Sequence, residues 1–193
     1  MKIKVKAKHI DWVNKSSRYW YLFLLLGITV LALWMRSFPA RFGELQALDP
    51  FYLYRTSEEI LHNNYRLPEW DSMRYYPRGV SHWETEYMIP VYLPAIVYGA
   101  LSPLIHMHYL HFAIIFPAIM GSLAVFASFF LGRELFESNS AGLFTAFFMA
   151  TVPAFITRTS AGFFEKEPIG GVFIILSLYC LLYTSDAADE GLG

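Results

Sequence analysis

Long stretches without Asp, Glu, Lys or Arg constrain this chain more than any other feature. Uncharged stretches occupy residues 19–35, 87–132 and 138–157, and a further one begins at residue 168. A helix needs about 20 apolar residues to cross the hydrocarbon core, and inside it every backbone polar group must find a partner within the protein. The sequence therefore predicts an all-α integral membrane protein, folded as a polytopic helical bundle.

The composition excludes several other classes of protein. Of the 193 residues, 55% are hydrophobic and only 16% are charged, whereas soluble domains carry about 25% charged residues. This balance argues against a disordered chain, a basic nucleic-acid-binding protein and most soluble enzymes. We expect membrane lipids as partners, and no nucleic acid. The single cysteine, Cys180, excludes a disulfide within the chain.

Basic residues predict the orientation of the bundle. Four segments have the length and composition of spans: 19–36, 109–132, 139–157 and 169 onward. Residues 133–137, after the second span, are predicted to form a cytoplasmic turn. Residues 1–18 hold five of the six lysines, which predicts a cytoplasmic N-terminus. Residues 37–108 then form a long external loop, before the chain enters the rest of the transmembrane domain (19–179).

The run at 87–105 leaves the topology open. A full span there would place the loop at 158–167 on the cytoplasmic side, whereas an interfacial or re-entrant helix would place that loop outside. Pro90, Pro94 and Pro103 make this run the least favourable to a helix. We favour the interfacial interpretation.

The end of the chain has an unusual sequence. Residues 180–190 read CLLYTSDAADE, which resembles the in-frame translation of a transposase sequencing adapter. We expect residues 180–193 to be an artefact and the chain to be the N-terminal fragment of a longer protein. Re-sequencing of the locus should then give an apolar helix after Tyr179.

Three carboxylates near the predicted span ends are candidates for chemistry. Asp49 follows the first span, and Glu165 and Glu167 follow the third. Carboxylates at i and i+2 in an extended loop point to one side, where both can bind a hard cation such as Mg²⁺ or Mn²⁺, while the lysine between them points away. Gly162 allows a tight turn before the pair, and Pro168 is expected to end the extended piece. On these residues alone, a solvated charged loop is the alternative.

Two motifs resemble a known family. Asp49-Pro-Phe-Tyr-Leu-Tyr-Arg resembles the first acidic motif of the oligosaccharyltransferase catalytic subunit, the enzyme of N-glycosylation. Arg158-Thr-Ser-Ala-Gly-Phe-Phe-Glu-Lys-Glu is similar to its second motif. The resemblance covers nearly all of residues 1–175. The family's second motif is usually D-x-D, and here it reads Glu165-x-Glu167.

The resemblance implies a bundle of the C-type glycosyltransferase kind and a specific reaction. An oligosaccharide would pass, with inversion, from a dolichyl- or polyprenyl-phosphate donor to the Asn amide of Asn-x-Ser/Thr sequons. Asp49, Glu165 and Glu167 would hold Mg²⁺ or Mn²⁺ on the external face of the cell membrane. Arg158 would pair with the second motif or with the donor phosphate, or else snorkel to the interface. Because the family's acceptor-binding C-terminal domain is not in this sequence, we expect the fragment alone to be inactive.

Other polar clusters are weaker candidates. His106, His108 and His111 lie on a turn where they converge poorly on a metal, so an interfacial cap is the favoured interpretation. Glu84 and Glu86 form a second acid-x-acid pair, which we assign to the structure of the external loop or to donor contacts.

Two alternative functions are weighed against this one. The first is a polyprenyl-phosphate-sugar-dependent O-mannosyltransferase relative, which the second motif disfavours. The other is a polytopic transporter fragment. Transporters place ionisable groups near the bilayer midplane, whereas here the acids lie at span ends.

Overall fold

The computed structural model describes residues 19–85 and 87–192, which are mainly helical. The helices are α1 (Trp20–Ser37), α2 (Asp49–His62), α3 (His82–Thr85), α4 (Met88–Leu101), α5 (Tyr109–Phe136), α6 (Asn139–Thr151), α7 (Pro153–Thr159) and α8 (Lys166–Leu192). A 3₁₀ turn, Phe38–Phe42, extends α1. In the external loop two short strands, β1 (Trp70–Asp71) and β2 (Val80–Ser81), pair antiparallel. The all-α prediction is confirmed, with this small hairpin added.

Helix α5 forms the centre of the bundle. It packs against α1, α6 and α8, while α2 packs mainly on α4. Close approach depends on small residues: a Cβ on Gly121 would lie 2.6 Å from Cβ of Thr159 in α7. Small residues at helix contacts are typical of membrane bundles, where close van der Waals packing drives association.

Among the described residues, two helices are long and apolar enough to cross a membrane: Trp20–Phe42 and Tyr109–Phe136. Asn139–Thr151 and Pro153–Thr159 form a pair bent by 62°, which is a third span if the two are taken together. Helix α8 begins close to the predicted fourth span and continues to Leu192. The expected origin of residues 180–193 stays a prediction.

The structure adds a break inside one predicted span and shortens one predicted turn. The run at 139–157 is not one helix, because Pro153 lacks an N–H group and Val152 before it is extended (φ −64°, ψ 121°). The predicted turn at 133–137 is shorter, since α5 continues to Phe136. Arg and Glu are good helix formers, so a helix can outlast its apolar run.

Helix α4 is too short to cross the bilayer by itself. Its 14 residues correspond to about 21 Å at the usual rise of a helix, whereas the hydrocarbon core is about 30 Å thick. This length fits the interfacial interpretation of residues 87–105. The lysine-rich residues 1–18 lie outside the described residues, so the cytoplasmic N-terminus stays a prediction.

Cysteine labelling tests this topology. In a Cys180→Ser background, Leu48→Cys and Phe163→Cys should both react with a membrane-impermeant reagent added outside. Ser140→Cys is the control and should stay unlabelled, because it lies near the end of α5 and the start of α6, on the side predicted to face the cytoplasm. Labelling at Leu48→Cys and Ser140→Cys but not at Phe163→Cys would mean that residues 87–105 span the membrane and that the two acidic motifs face different compartments.

Candidate active site

Asp49 occupies the first position of α2. Pro50 follows it, and a proline in the first turn suits a helix start because the N–H groups there have no partner within the helix. The positive end of the helix dipole favours a carboxylate at this position. The Asp49 side chain remains exposed, so it is available to a ligand.

Backbone hydrogen bonds hold the loop of the second motif. Gly162 adopts φ +88°; its N–H donates to the Ile114 carbonyl at 2.7 Å, and its carbonyl accepts from the Gln46 N–H at 2.8 Å. The Ala161 N–H donates to the Arg36 carbonyl at 2.8 Å. The loop is therefore fixed between α5 and the segment that joins α1 to Asp49. The turn predicted at Gly162 is confirmed.

Arg36 stabilises the same region through hydrogen bonds, although the sequence analysis did not identify it as a candidate residue. Its side chain is fully buried. Nε donates to Thr159 Oγ1 at 2.8 Å, Nη1 to the Ala150 carbonyl at 3.0 Å and Nη2 to the Met149 carbonyl at 3.1 Å. The last carbonyls of a helix lack partners within it, and Arg36 supplies them where α6 breaks. The sequence signal that could have identified Arg36 was the position of an arginine at the end of a predicted span.

The two acidic motifs meet at one cavity of about 170 Å³, which we call the acidic cavity. Asp49 from the first motif and Glu165 from the second both line it. The remaining lining residues come from α2, the hairpin and the starts of α4 and α8: Tyr52, Leu53, Arg74, Tyr87 and Lys166. The structure therefore brings together two motifs that lie far apart in the sequence.

Glu165 lies in an unusual electrostatic environment. Burial raises the pKa of its carboxyl to about 7, helped by a hydrogen bond with Glu167 and by the charges of Glu167 and Asp49. Arg158 acts in the opposite direction, with Nη1 3.7 Å from Glu165 Oε2. More than half of the Arg158 side chain is exposed, so solvent screens this pair. Arg158 therefore lies beside the second motif, and its role in the site stays a prediction.

The predicted geometry of Glu165-x-Glu167 is wrong. Helix α8 begins at Lys166, so Glu167 lies in its first turn and the pair does not alternate along an extended loop. Lys166 lines the acidic cavity instead of pointing away from it. Pro168 lies inside that first turn, where a proline is tolerated because the N–H groups there are unpaired.

An apolar groove of about 830 Å³ adjoins the acidic cavity, and Tyr87 and Lys166 line both. Its walls come from α4, α7 and α8 and include Met88, Ile89, Phe155, Ile169, Phe173 and Ile174. Arg158, Lys166 and Glu167 are its charged residues. A long apolar surface thus leads to a small polar cavity.

The carboxylates have the chemistry of a site for a hard cation. Glu167 Oε2 is buried without a hydrogen-bond partner within the described chain, and Asp49 and Glu165 face one cavity. Oxygen ligands of this kind suit Mg²⁺ or Mn²⁺. In residues 19–85 and 87–192, however, no three His, Cys, Asp or Glu side chains are close enough to form a metal centre.

None of the weaker candidates that the structure describes lines the acidic cavity. His108 caps α5, because its side chain accepts a hydrogen bond from the Leu110 N–H at 3.3 Å, as the favoured interpretation expected. His106 and His111 are exposed. Glu84 is exposed in α3, and Glu86 lies outside the described residues.

The hairpin contributes a residue that the sequence analysis missed. Arg74 lines the acidic cavity, donates from Nη1 to the Tyr52 hydroxyl at 2.8 Å and lies 4.1 Å above the Tyr52 ring. Asp71 holds this turn by accepting hydrogen bonds from the Met73 N–H at 2.9 Å and from Arg55. Burial alone would raise the pKa of Asp71, but these hydrogen bonds outweigh it and lower the pKa. The sequence signal for this turn was Asp71 itself, since an Asp side chain often accepts a hydrogen bond from the backbone N–H two residues further on.

The fold and site define a polytopic helical membrane protein with an acidic cavity beside a lipid-sized apolar groove. Residues 20–190 match the family described as oligosaccharyl transferase STT3, N-terminal, and the chain belongs to this family. The family resemblance drawn from the two motifs is thereby confirmed.

Curated relatives agree with this assignment. The chain is 29% identical to the dolichyl-diphosphooligosaccharide–protein glycosyltransferase subunit stt-3 of Caenorhabditis elegans, over 81% of this chain and 22% of that protein. It is 29% identical to dolichyl-phosphooligosaccharide-protein glycotransferase 3 of Archaeoglobus fulgidus, over 79% of this chain and 18% of that protein. The chain is 25% identical to the dolichyl-diphosphooligosaccharide–protein glycosyltransferase subunit stt3 of Schizosaccharomyces pombe, over 92% of this chain and 23% of that protein. The chain thus spans about a fifth of the length of these relatives.

Proposed function

We propose that the full-length protein transfers an oligosaccharide from a lipid-linked phosphate donor to the Asn side chain of Asn-x-Ser/Thr sequons. The observation that carries this proposal is the joint lining of one cavity by Asp49 and Glu165. The relatives' names specify dolichyl-linked oligosaccharides and protein acceptors. We place the site on the external face of the cell membrane, with the N-terminus in the cytoplasm.

The apolar groove is suited to the lipid of the donor. A volume of about 830 Å³ with apolar walls would bury the first isoprenoid units of a polyprenyl chain, whether dolichyl or another polyprenyl. Arg158 and Lys166 line the same groove. Cationic side chains form strong, charge-assisted hydrogen bonds with phosphate oxygens, so these two residues would hold the donor phosphate next to the acidic cavity.

Asp49, Glu165 and Glu167 would hold Mg²⁺ or Mn²⁺. A bound divalent cation neutralises the charge that develops on the leaving phosphate. The gathered carboxylates favour such a cation, because like charges in a partly buried site disfavour one another's ionised forms.

Asp49 would also orient the acceptor. Its exposed carboxylate can accept a hydrogen bond from the Asn amide and direct the nitrogen at the anomeric carbon. Attack opposite the leaving phosphate inverts that carbon. Proximity and orientation of this kind lower the barrier by several kcal/mol, on the order of 7–11 in the best cases.

Substitutions in the second motif test this assignment. In the full-length protein, Glu165→Gln should lower transfer to a sequon peptide about a hundredfold, since it removes an anionic oxygen that binds the cation. Glu167→Gln should be milder, because water can replace one ligand. The double change Glu165→Asp and Glu167→Asp should keep most activity, as the family's usual motif has that length.

Glu137→Gln, at the exposed end of α5, is the matched control and should leave the rate unchanged. If Glu165→Gln kept the rate of this control, the second motif would not be part of the active site.

A further inference from the structure

A further pocket, of about 330 Å³, lies at the opposite end of α2 from Asp49. We call it the tyrosine pocket. It is bounded by the end of α2, the end of α4 and the start of α5, and its walls include Glu58, His62, Tyr65, Tyr98, His108 and Tyr109. Helix α2 has 14 residues and is therefore about 21 Å long, so this pocket is separate from the acidic cavity.

Glu58 gives the tyrosine pocket its charge. The Tyr54 hydroxyl donates to Glu58 Oε1 at 2.5 Å. Burial, this hydrogen bond and the charge of Glu58 all raise the pKa of Tyr54, so the hydroxyl keeps its proton and remains the donor. Among the residues that the structure describes, no Lys or Arg lines the pocket. Within the described part of the chain, none forms a salt bridge with Glu58.

Interlocked aromatic rings form one wall. The Tyr98 and Tyr109 rings meet edge to face at 5.0 Å between centroids, and Tyr54 stacks on Tyr109 at 5.5 Å. The Tyr98 hydroxyl donates to the Met107 carbonyl at 2.8 Å, and the Tyr109 hydroxyl hydrogen-bonds with Ser57. Since these hydroxyls already have partners, the wall presents mainly aromatic ring atoms to a ligand.

Tyr65 completes the pocket in a strained conformation. Asn64 and Tyr65 both have left-handed φ values, +50° and +60°, which an aromatic residue rarely adopts. The turn brings the Tyr65 hydroxyl against Gly99, where a Cβ would lie only 1.8 Å from it. Strained residues that persist in a structure often belong to ligand sites, and here the strain positions a pocket wall.

We propose that the tyrosine pocket binds an organic ammonium group. A half-buried carboxylate beside aromatic rings, with neither Lys nor Arg among the described lining residues, is complementary to an alkylammonium ion held by charge and by cation–π attraction. Tyr109 begins the second span, so the pocket lies at the depth of lipid headgroups. The ammonium can therefore come from a membrane lipid or from a soluble amine, and the site does not depend on the proposed glycosyl transfer.

Binding of tetramethylammonium to the full-length protein in a non-ionic detergent tests the proposal, with neopentanol as the uncharged probe of similar shape. Calorimetry should show binding of the cation and none of neopentanol. Glu58→Gln should weaken the cation's affinity about tenfold. Glu69→Gln, an exposed acid in the same external loop, is the control and should bind as the wild type does.

Tyr65→Gly separates a ligand site from a purely structural role. Glycine adopts left-handed φ values without strain, so the unliganded protein should unfold at the same or a higher temperature, while its affinity for tetramethylammonium falls. Equal binding of neopentanol and tetramethylammonium, or wild-type affinity in both Glu58→Gln and Tyr65→Gly, would overturn the proposal.

Nanodiscs distinguish the two sources of the ammonium group. If phosphatidylethanolamine discs weaken tetramethylammonium binding relative to phosphatidylglycerol discs, the ligand is a lipid headgroup. Equal affinity in the two kinds of disc identifies a soluble amine. Absence of cation binding in both would contradict the proposal.

Discussion

Replacement of Asp49 by Asn in the full-length protein should lower oligosaccharide transfer about a thousandfold. Asparagine keeps the size of the side chain and its place at the start of α2, so the helix should form as before. The substitution removes the anionic oxygens that the proposed cation and the acceptor amide both need. The initial rate of glycopeptide formation, at saturating donor and acceptor, is the quantity to measure.

Glu44→Gln is the matched control for this change. Glu44 is an exposed acid in the same connection between α1 and α2, and it does not line the acidic cavity. Its neutralisation should leave the rate within about twofold of the wild type, since exposed surface charges contribute little. Retention of more than a tenth of the rate by Asp49→Asn would contradict the role of Asp49.

Gly162→Ala should damage the site through the backbone. A Cβ at this position would lie 2.7 Å from the Glu44 carbonyl oxygen and 3.0 Å from Gln46 Cγ, at φ +88°. The loop would have to move, and Glu165 would move with it relative to Asp49. A displacement of about 1 Å can lower a rate about a hundredfold, and we expect a loss of that order in the transfer assay.

Gly27→Ala is the control for added volume, because nothing lies within 4 Å of a Cβ there. It should leave the rate of transfer unchanged and slightly favour α1, since alanine has the higher helix propensity. A rate for Gly162→Ala equal to that of Gly27→Ala would show that the loop can relax without disturbing the site.

The sequence predicted the features that depend on local composition. Uncharged runs located the long helices at Trp20 and Tyr109, because insertion in a bilayer depends on the hydrophobicity of each segment. The tight turn expected at Gly162 is present, with a positive φ. The meeting of Asp49 and Glu165 was predicted through the resemblance of two motifs and not through any local pattern.

Features that depend on tertiary packing could not be read in this way. Arg36 bounds a predicted span, yet its partners Ala150 and Thr159 lie more than a hundred residues further along the chain. The predicted direction of the Lys166 side chain was wrong, because an i, i+2 pattern gives one geometry in an extended segment and another at the start of a helix. Arg74 reaches the acidic cavity only because the hairpin folds over α2.

Metal dependence of transfer tests the central claim most directly. The full-length protein, stripped with a chelator, should show no transfer from a lipid-linked oligosaccharide to a peptide with one Asn-x-Thr sequon. Mg²⁺ or Mn²⁺ should restore transfer to wild-type protein and not to Asp49→Asn, and a Gln-x-Thr peptide should accept nothing. Full transfer in the presence of chelator, or transfer to Ser or Thr instead of Asn, would contradict the account.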